Sequence, residues 1–168
     1  MPARDAVLRL LGEGLAVQEG QKTVVVAPLN VGDFLDIMEI RVLLEPRALE
    51  LSVPRLTAAD VTEARRILRQ AAKTVQPLAF SELHRRLHMT LYRRSGRPRL
   101  LETIERQHLL MVRYLSPLWA LEGNQTRWIG GEDVLLRHVE KKDAAEAVSF
   151  LRRDLEDALI RILRALAT

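Results

Sequence analysis

The sequence contains no cysteine, and aromatic residues make up only 4% of it. The absence of cysteine excludes disulfide bonds, thiolate metal sites and cysteine nucleophiles. No apolar run approaches the roughly 20 residues that a membrane-spanning helix needs, and the first residues show no signal-peptide pattern. The sequence therefore predicts a cytoplasmic protein with no membrane partner.

The residues that are present favour helices, because leucine, alanine, arginine and glutamate dominate. A chain of 168 residues with 48% hydrophobic and 29% charged residues fits one globular domain, or a small domain plus a fragment of another. The formal net charge is +4. Basic and acidic residues cancel within residues 1–30, and the excess is spread along the later helices, which indicates a solvated surface more than a nucleic-acid patch.

The pattern of hydrophobic residues changes once along the chain. Residues 3–12 predict a short helix that ends at Gly12 or Gly14, and residues 15–28 predict a β-hairpin that turns around residues 19–22. Every later segment predicts a helix, so the expected fold class is all-α, an antiparallel helical bundle. The predicted helices cover residues 32–52, 58–74, 77–95, 98–120, 131–141 and 144–167.

Several residues predict where these helices start, stop or bend. Pro46 forces the helix over residues 32–52 to kink or restart. Thr57 and Asp60 have the spacing of a capping box. A loop is expected at Glu122-Gly123-Asn124, and Gly130-Gly131 should loosen the start of the next helix.

Two histidines, His84 and His88, lie four residues apart in the helix predicted to begin at Pro77. This spacing places both imidazole rings on one helix face, one turn apart. Two imidazoles at that spacing can share one metal ion. The pair is therefore the first candidate ligand site.

Two carboxylates lie symmetrically about the turn expected at Asp143. Glu132 lies 11 residues before Asp143, and Asp154 lies 11 residues after it. Eleven helical residues make about three turns, so the two carboxylates should sit at the same height in an antiparallel helix pair. If the histidine helix packs alongside, two imidazoles and two carboxylates converge on one centre.

Several segments resemble the GntR-family transcriptional regulators of the FadR type, in which a winged helix–turn–helix precedes a helical effector domain. Residues 2–15 resemble the recognition helix and its Glu-Gly-Leu exit, and residues 22–29 resemble the wing and its link to the effector domain. Residues 41–46 match the family pattern R-x-x-x-E-P. Residues 87–96 are similar to F-H-x-x-L-x-x-x-S-G with leucine in place of phenylalanine, and residues 142–143 match the family's x-D turn.

This resemblance implies two parts. Residues 1–29 correspond to a partial winged helix–turn–helix, because the family has two further helices before the recognition helix. Residues 30–168 correspond to a helical effector-binding and dimerisation domain. We therefore expect a homodimer whose binding to an operator DNA depends on those two helices. By family position Arg4 and Arg9 are the candidate DNA contacts, and the alternative is that they are ordinary solvated helix charges.

The resemblance also implies a metal site. Family members usually bind a metal ion with one aspartate and three histidines in the effector domain. These positions fall on His84, His88, Glu132 and Asp154, so all four still hold residues that can coordinate. Such a set suits Zn²⁺, Mn²⁺, Fe²⁺, Co²⁺ or Ni²⁺. The alternative is that the four residues form an ion-paired network without a metal.

The effector that the resemblance implies is a small organic acid or sugar acid. Arg41 is the first candidate to hold its carboxylate, because a guanidinium can bind a carboxylate bidentately. The alternative for Arg41 is a pair with Glu45 within the same helix, and Arg113 is a weaker candidate. Three aromatic residues either line the pocket or pack in the core: Tyr114, Trp119 and Trp128.

The predicted function is a ligand-responsive transcriptional regulator and not an enzyme. The alternatives are a metal-dependent helical-bundle enzyme and a metal-free helical dimerisation module. A di-iron bundle needs two Glu-x-x-His motifs, and the sequence has one, from Glu105 to His108. Arg85 occupies the place at which a metalloprotease helix carries its glutamate.

Overall fold

The structure is a computed structural model that describes residues 2–20, 23–120 and 123–166. Parts of three predicted features lie outside the described residues: the hairpin turn at Gln21 and Lys22, the loop residue Glu122, and Ala167 at the end of the last helix. Within the described ranges, no helix is both long enough and apolar enough to cross a membrane.

The described elements follow one another with short connections. Single turns of 3₁₀ helix at Val53–Arg55 and Arg93–Ser95 follow the second and fourth α-helices. In chain order the elements are α1 (Pro2–Gly12), β1 (Ala16–Glu19), β2 (Thr23–Val26), α2 (Val31–Ser52), α3 (Ala58–Ala71), α4 (Pro77–Tyr92), α5 (Pro98–Trp119), α6 (Asn124–Glu140) and α7 (Ala144–Leu166).

The N-terminal part is a short helix followed by a two-stranded antiparallel sheet, as the sequence predicts. Strand β1 pairs with β2 so that Ala16 lies opposite Val26. Gly14, between α1 and β1, has a φ of 74°, a conformation that favours glycine. No side chain of α1 is buried. This helix therefore contributes nothing to a hydrophobic core.

Helices α2 to α7 form a helical bundle, which confirms the predicted all-α fold class. Helix α2 packs against α4, α5 and α7, while α3 packs against α4 and α6, and α6 and α7 form a hairpin. Each helix turns its apolar face inward, as amphipathic helices do. The largest fully buried apolar side chains are Phe34, Met38, Leu49, Ile67, Phe80, Leu87, Leu91, Ile104, Met111, Leu135 and Leu136.

Helix α2 continues through Pro46, so of the two predicted outcomes, a kink or a restart, the restart does not occur. A proline inside a helix removes one backbone hydrogen bond and costs roughly 3 kcal/mol. Pro46 is buried here, and its neighbours Ala48 and Leu49 are fully buried. Tertiary packing of this face of α2 therefore outweighs the local penalty.

Helix α6 begins at Asn124, seven residues before the predicted start, and the prediction based on Gly130-Gly131 is wrong. Both glycines lie inside the helix. Trp128 and Glu132, on either side of them, are buried. A Cβ atom at Gly131 would lie 3.8 Å from Asp154 Oδ1, so the helix packs closely against α7 at this point. Burial of the flanking side chains stabilises a segment whose intrinsic helix propensity is low.

Thr57 and Asp60 form the predicted capping box at the start of α3. The Asp60 backbone N–H donates to Thr57 Oγ1 at 3.2 Å, and the Thr57 backbone N–H donates to Asp60 Oδ2 at 2.7 Å. Arg94 Nε donates to the same carboxylate at 2.9 Å, and Arg93 pairs with it as well. Burial alone would raise the pKa of Asp60, but these hydrogen bonds hold that pKa well below its usual range.

We expect Asp60→Asn to lower the free energy of unfolding by about 2–3 kcal/mol at pH 7, because it removes charge-assisted hydrogen bonds from a buried group. Since the pKa of Asp60 is lower in the folded chain than its unfolded value of about 3.9, the carboxylate stabilises the fold above that pH. This contribution begins to decline as the pH falls below that value, and it is lost completely only when the pH falls through the lower pKa of the folded chain. Urea unfolding of both proteins at pH 7 and pH 3 measures the effect, and an equal difference at both pH values would contradict it.

Candidate functional site

A small cavity lies inside the bundle, between α2, α4, α5, α6 and α7. Its water-accessible space is only about 30 Å³, so its own side chains nearly fill it. Three of the four predicted metal ligands line it, together with one predicted effector ligand. The lining residues are Arg41, His84, His88, Leu115, Leu118, Trp119, Asn124, Arg127, Trp128, Asp154, Leu155, Ala158 and Arg161.

His84 and His88 both point from α4 into this centre. Their ring centroids lie 4.6 Å apart, as the i, i+4 spacing predicts. Both side chains are buried. The pKa of His84 lies well below its usual range, because burial disfavours the charged ring and His88 and His108 add repulsion. His84 is therefore neutral at pH 7.

Glu45 lies at the centre of a buried polar network behind the cavity. Arg41 Nε donates to Glu45 Oε1 at 2.6 Å, and Tyr92 Oη donates to Glu45 Oε2 at 2.7 Å. All three side chains are buried. Burial alone would raise the pKa of Glu45, but Arg41 and the nearby histidines hold it well below its usual range. Arg41 thus forms the pair with Glu45 within α2 that was the alternative to effector binding, and its side chain also lines the cavity.

Both ring nitrogens of His88 have partners. Nδ1 lies 3.0 Å from Tyr92 Oη, and Nε2 lies 3.1 Å from Glu132 Oε1. Because the Tyr92 hydroxyl proton goes to Glu45, the hydroxyl can only accept from His88 Nδ1–H. Burial lowers the pKa of His88, but Glu132 and Glu45 raise it more, and the net pKa is above its usual value. His88 therefore carries protons on both nitrogens and forms an ion pair with Glu132.

His108 is a third imidazole at this centre that we did not predict as a site residue. Its ring centroid lies 5.6 Å from that of His84 and 5.4 Å from that of His88. Nε2 lies 3.2 Å from Glu45 Oε1, but neither ring nitrogen has hydrogen-bond geometry to a described residue. Burial lowers the pKa of His108 to about 4. The sequence feature that could have identified His108 is its spacing of four residues from Ile104, which places both side chains on the same buried face of α5.

Asp154 lies where the α6–α7 hairpin was expected to place it, near Glu132 and on the cavity wall. Burial and, after it, the negative charge of Glu132 raise its pKa, while His88, Arg161 and Arg41 lower it, and the net pKa is about 6. Asp154 is therefore a half-buried carboxylate that exchanges its proton near neutral pH.

The arrangement does not fit a metal ion held by these four residues. The part of the chain that the structure describes contains no group of three or more His, Asp or Glu side chains placed to hold a metal. A metal-binding histidine must be neutral, with one nitrogen free, whereas His88 uses both nitrogens for Tyr92 and Glu132. The observed contacts agree with the alternative of an ion-paired network.

Hydrogen-bond donors dominate the cavity wall. Arg127 and Arg161 line it besides Arg41, and neither was predicted as a site residue. The indole Nε1 atoms of Trp119 and Trp128 are buried and have no hydrogen-bond partner among the described residues. Sequence patterns could not identify Arg127 and Arg161, because they come from different helices and follow no shared motif. Trp119 and Trp128, in contrast, were named from the sequence as residues that either line the pocket or pack in the core.

Arg113 lies outside the cavity, so the structure does not support its predicted role as an effector ligand. Its guanidinium donates to the Ala27 backbone oxygen at 3.2 Å and to Asp33 Oδ2 at 2.7 Å. It therefore connects α5 to the segment before α2 and to the first turn of α2. The two candidate DNA contacts, Arg4 and Arg9, are exposed on α1, where Arg9 Nε pairs with Glu13 at 2.7 Å. Their contact with DNA stays a prediction.

Comparison with known proteins identifies the family and the fold of the chain. Residues 36–157 match the model of the FCD domain family. A GntR-family transcriptional regulator from Pseudomonas syringae pv. tomato is 29% identical, with a TM-score of 0.73 over 99% of this chain and 71% of that one. The E. coli protein McbR/YncC is 22% identical, with a TM-score of 0.79 over 96% and 83% of the two chains, and shows the same fold. No curated protein matches the chain at a significant level.

We expect Glu45→Gln to lower the free energy of unfolding by about 3–5 kcal/mol, because it leaves the Arg41 guanidinium buried without its counter-charge. Glu50→Gln is the matched control, since Glu50 lies on the same helix and pairs with Arg47 in an exposed position. That change should cost less than about 1 kcal/mol. Urea unfolding followed by circular dichroism measures both. Similar losses in the two variants would show that Glu45 has no special role in the core.

Proposed function

The chain belongs to the FCD-domain regulators of the GntR family, and from this premise we propose that its helical domain binds a small organic anion that controls DNA binding by a dimer. Regulators of this family bind DNA and are not enzymes, as the sequence predicts. The anion, the cavity as its site and the dimer are the parts that we propose. Such a regulator would act in the cytoplasm.

One feature of the cavity carries this proposal: its wall offers more hydrogen-bond donors than acceptors. Arg41, Arg127 and Arg161 face it, and Asp154 is the one carboxylate among the described lining residues. Two buried indole N–H groups there have no acceptor among the described residues. A buried donor without a partner costs about 1–3 kcal/mol, so a ligand that supplies carboxylate oxygens would gain from both the charges and the unpaired donors.

Binding such a ligand requires movement, because the space of about 30 Å³ holds little more than one water molecule. Arg127 is the exposed member of the wall and lies near the start of α6. Displacement of Arg127 and the neighbouring indole of Trp128 would open the cavity towards solvent. We place the entrance at this end of α6.

Helix α5 offers a route from the cavity to the N-terminal part. Trp119 lines the cavity near the end of α5, and Tyr114 lies one to two turns before it. Tyr114 Oη donates to the Asn30 backbone oxygen at 3.0 Å, and the Arg113 guanidinium donates to the Ala27 backbone oxygen. We propose that a ligand-induced shift of α5 is passed through these two side chains to residues 27–30.

We propose that residues 1–29 belong to the DNA-binding part and residues 30–168 to the effector-binding and dimerisation domain. Support for the first part is the exposed helix α1 followed by a hairpin, which has the order of a recognition helix and wing. Arg4 and Arg9 on α1 remain the candidate contacts to an operator. The homodimer also stays a prediction.

We expect at least one of propionate, succinate and gluconate to change the tryptophan fluorescence of the protein. Trp119 and Trp128 are the two tryptophans of the sequence, and both line the cavity. Arg127→Met should weaken that binding by about tenfold or more, because a charge-assisted hydrogen bond is worth roughly 1.5–3 kcal/mol. Arg137→Met, an exposed change on the same helix beside Asp133, should leave it unchanged. No response to any of the acids, or equal losses in both variants, would argue against the cavity as an anion site.

Elemental analysis tests the metal prediction for His84, His88, Glu132 and Asp154. The His88–Glu132 ion pair leads us to expect much less than one metal ion per chain in protein purified without a nickel column. A stoichiometric amount of Zn, Mn, Fe, Co or Ni that disappears in His88→Ala would instead establish the metal site. Circular dichroism of the variant serves as the control for folding.

A further inference from the structure

We propose that the organic anion carries an apolar group, and that this group lies in a groove that continues outward from the cavity. This inference rests on the proposed function, because the charged end of the same ligand would occupy the cavity. It defines the ligand class as an amphipathic carboxylate with a short aliphatic or aromatic tail, in place of a sugar acid.

The groove and the cavity share part of their walls. Leu118, Asn124 and Arg161 line both spaces. The groove is far larger, at about 580 Å³, and is open to solvent along one side. A ligand could therefore keep one end in the cavity and extend the other into the groove.

The two spaces differ in their chemistry. Beyond Leu118, most of the groove wall is apolar, with side chains from α5, α7 and the segment before α2 that include Pro117, Ile162 and Leu29. Tyr114 and Arg164 are the polar members of this part of the wall. Arg161 stands at the junction, where its guanidinium reaches a charged end while its aliphatic stem contacts an apolar group. A sugar acid would place hydroxyl groups against apolar walls that offer few partners, which costs free energy. An apolar tail gains free energy there from burial.

The size of the groove favours a ligand over a second protein. Ten residues line it, whereas a stable protein interface uses roughly 20–30 residues on each side. Continuity with the cationic cavity also suits a ligand that has one charged end. A second copy of the chain, or another segment that covers the groove, remains an outcome of the test.

Tryptophan fluorescence titrations of the unmodified chain with propionate and octanoate test the inference. Both probes carry the same carboxylate and differ by five methylene groups. Each fully buried methylene contributes roughly fourfold in affinity, so we expect octanoate to bind more than about tenfold tighter. Equal affinities would overturn the inference and leave the proposed anion site intact. Binding of neither acid would also overturn the inference, and it would count against the proposed function itself if succinate and gluconate fail to bind as well.

The variant Leu29→Asp tests whether the apolar tail of the ligand lies in the groove, because Leu29 is 47% exposed and its side chain lines the groove. The variant should lose most of the tenfold preference for octanoate while its affinity for propionate stays the same. Leu78→Asp is the matched control, since Leu78 is an exposed leucine on α4 away from the groove, and it should keep the preference. Sedimentation velocity accompanies both titrations. A change of oligomeric state in Leu29→Asp, without any dependence on chain length, would identify the groove as a protein interface and overturn the inference.

Discussion

The buried carboxylate of Glu45 is the constraint on which the site depends. A fully buried carboxylate is costly unless charges and hydrogen bonds compensate for its lost hydration. Here Arg41 supplies the counter-charge and Tyr92 supplies a hydroxyl proton. Because these partners come from α2 and α4, the requirement to satisfy one carboxylate fixes how the two helices meet.

The same requirement determines the state of the histidines. Since Tyr92 gives its proton to Glu45, its oxygen accepts from His88 Nδ1, and His88 Nε2 is left facing Glu132. The result is an imidazolium paired with a carboxylate. His84 and His108 lie beside it with lowered pKa values, because burial and neighbouring positive charges oppose a second protonated ring. One buried carboxylate thus accounts for a charged His88 between two neutral histidines.

Sequence patterns predicted the elements whose signals are local. The i, i+4 spacing of His84 and His88 and the symmetry of Glu132 and Asp154 about Asp143 placed four side chains near one centre, as the structure does. Local patterns could not show that Tyr92 bonds Glu45 across 47 residues. That bond decides the protonation of His88, and so whether the four residues suit a metal.

Other differences from the sequence expectations also arise from tertiary packing. Helix α6 starts early because Trp128 and Glu132 gain burial against the bundle, which outweighs the low helix propensity of two glycines. Arg127 and Arg161 reach the cavity only because of that early start and the packing of α7. Neither has a motif that would mark it in the sequence, whereas Arg41, which was predicted, lies in a family pattern.

The arrangement suggests how a carboxylate can be held without a metal. A metal site needs deprotonated ligands, so its affinity falls as histidines gain protons. Guanidinium groups stay charged across the physiological pH range and present a planar fork to a carboxylate. In this chain Glu45 is paired with Arg41, and Glu132 is paired with His88. The positive charges of Arg127 and Arg161 therefore remain for a ligand. Among the described residues that line the cavity, Asp154 is the one carboxylate that opposes them. Because the pKa of Asp154 is about 6, the positive excess at the cavity grows as the pH falls below neutral, and this would strengthen binding of the anion that we propose.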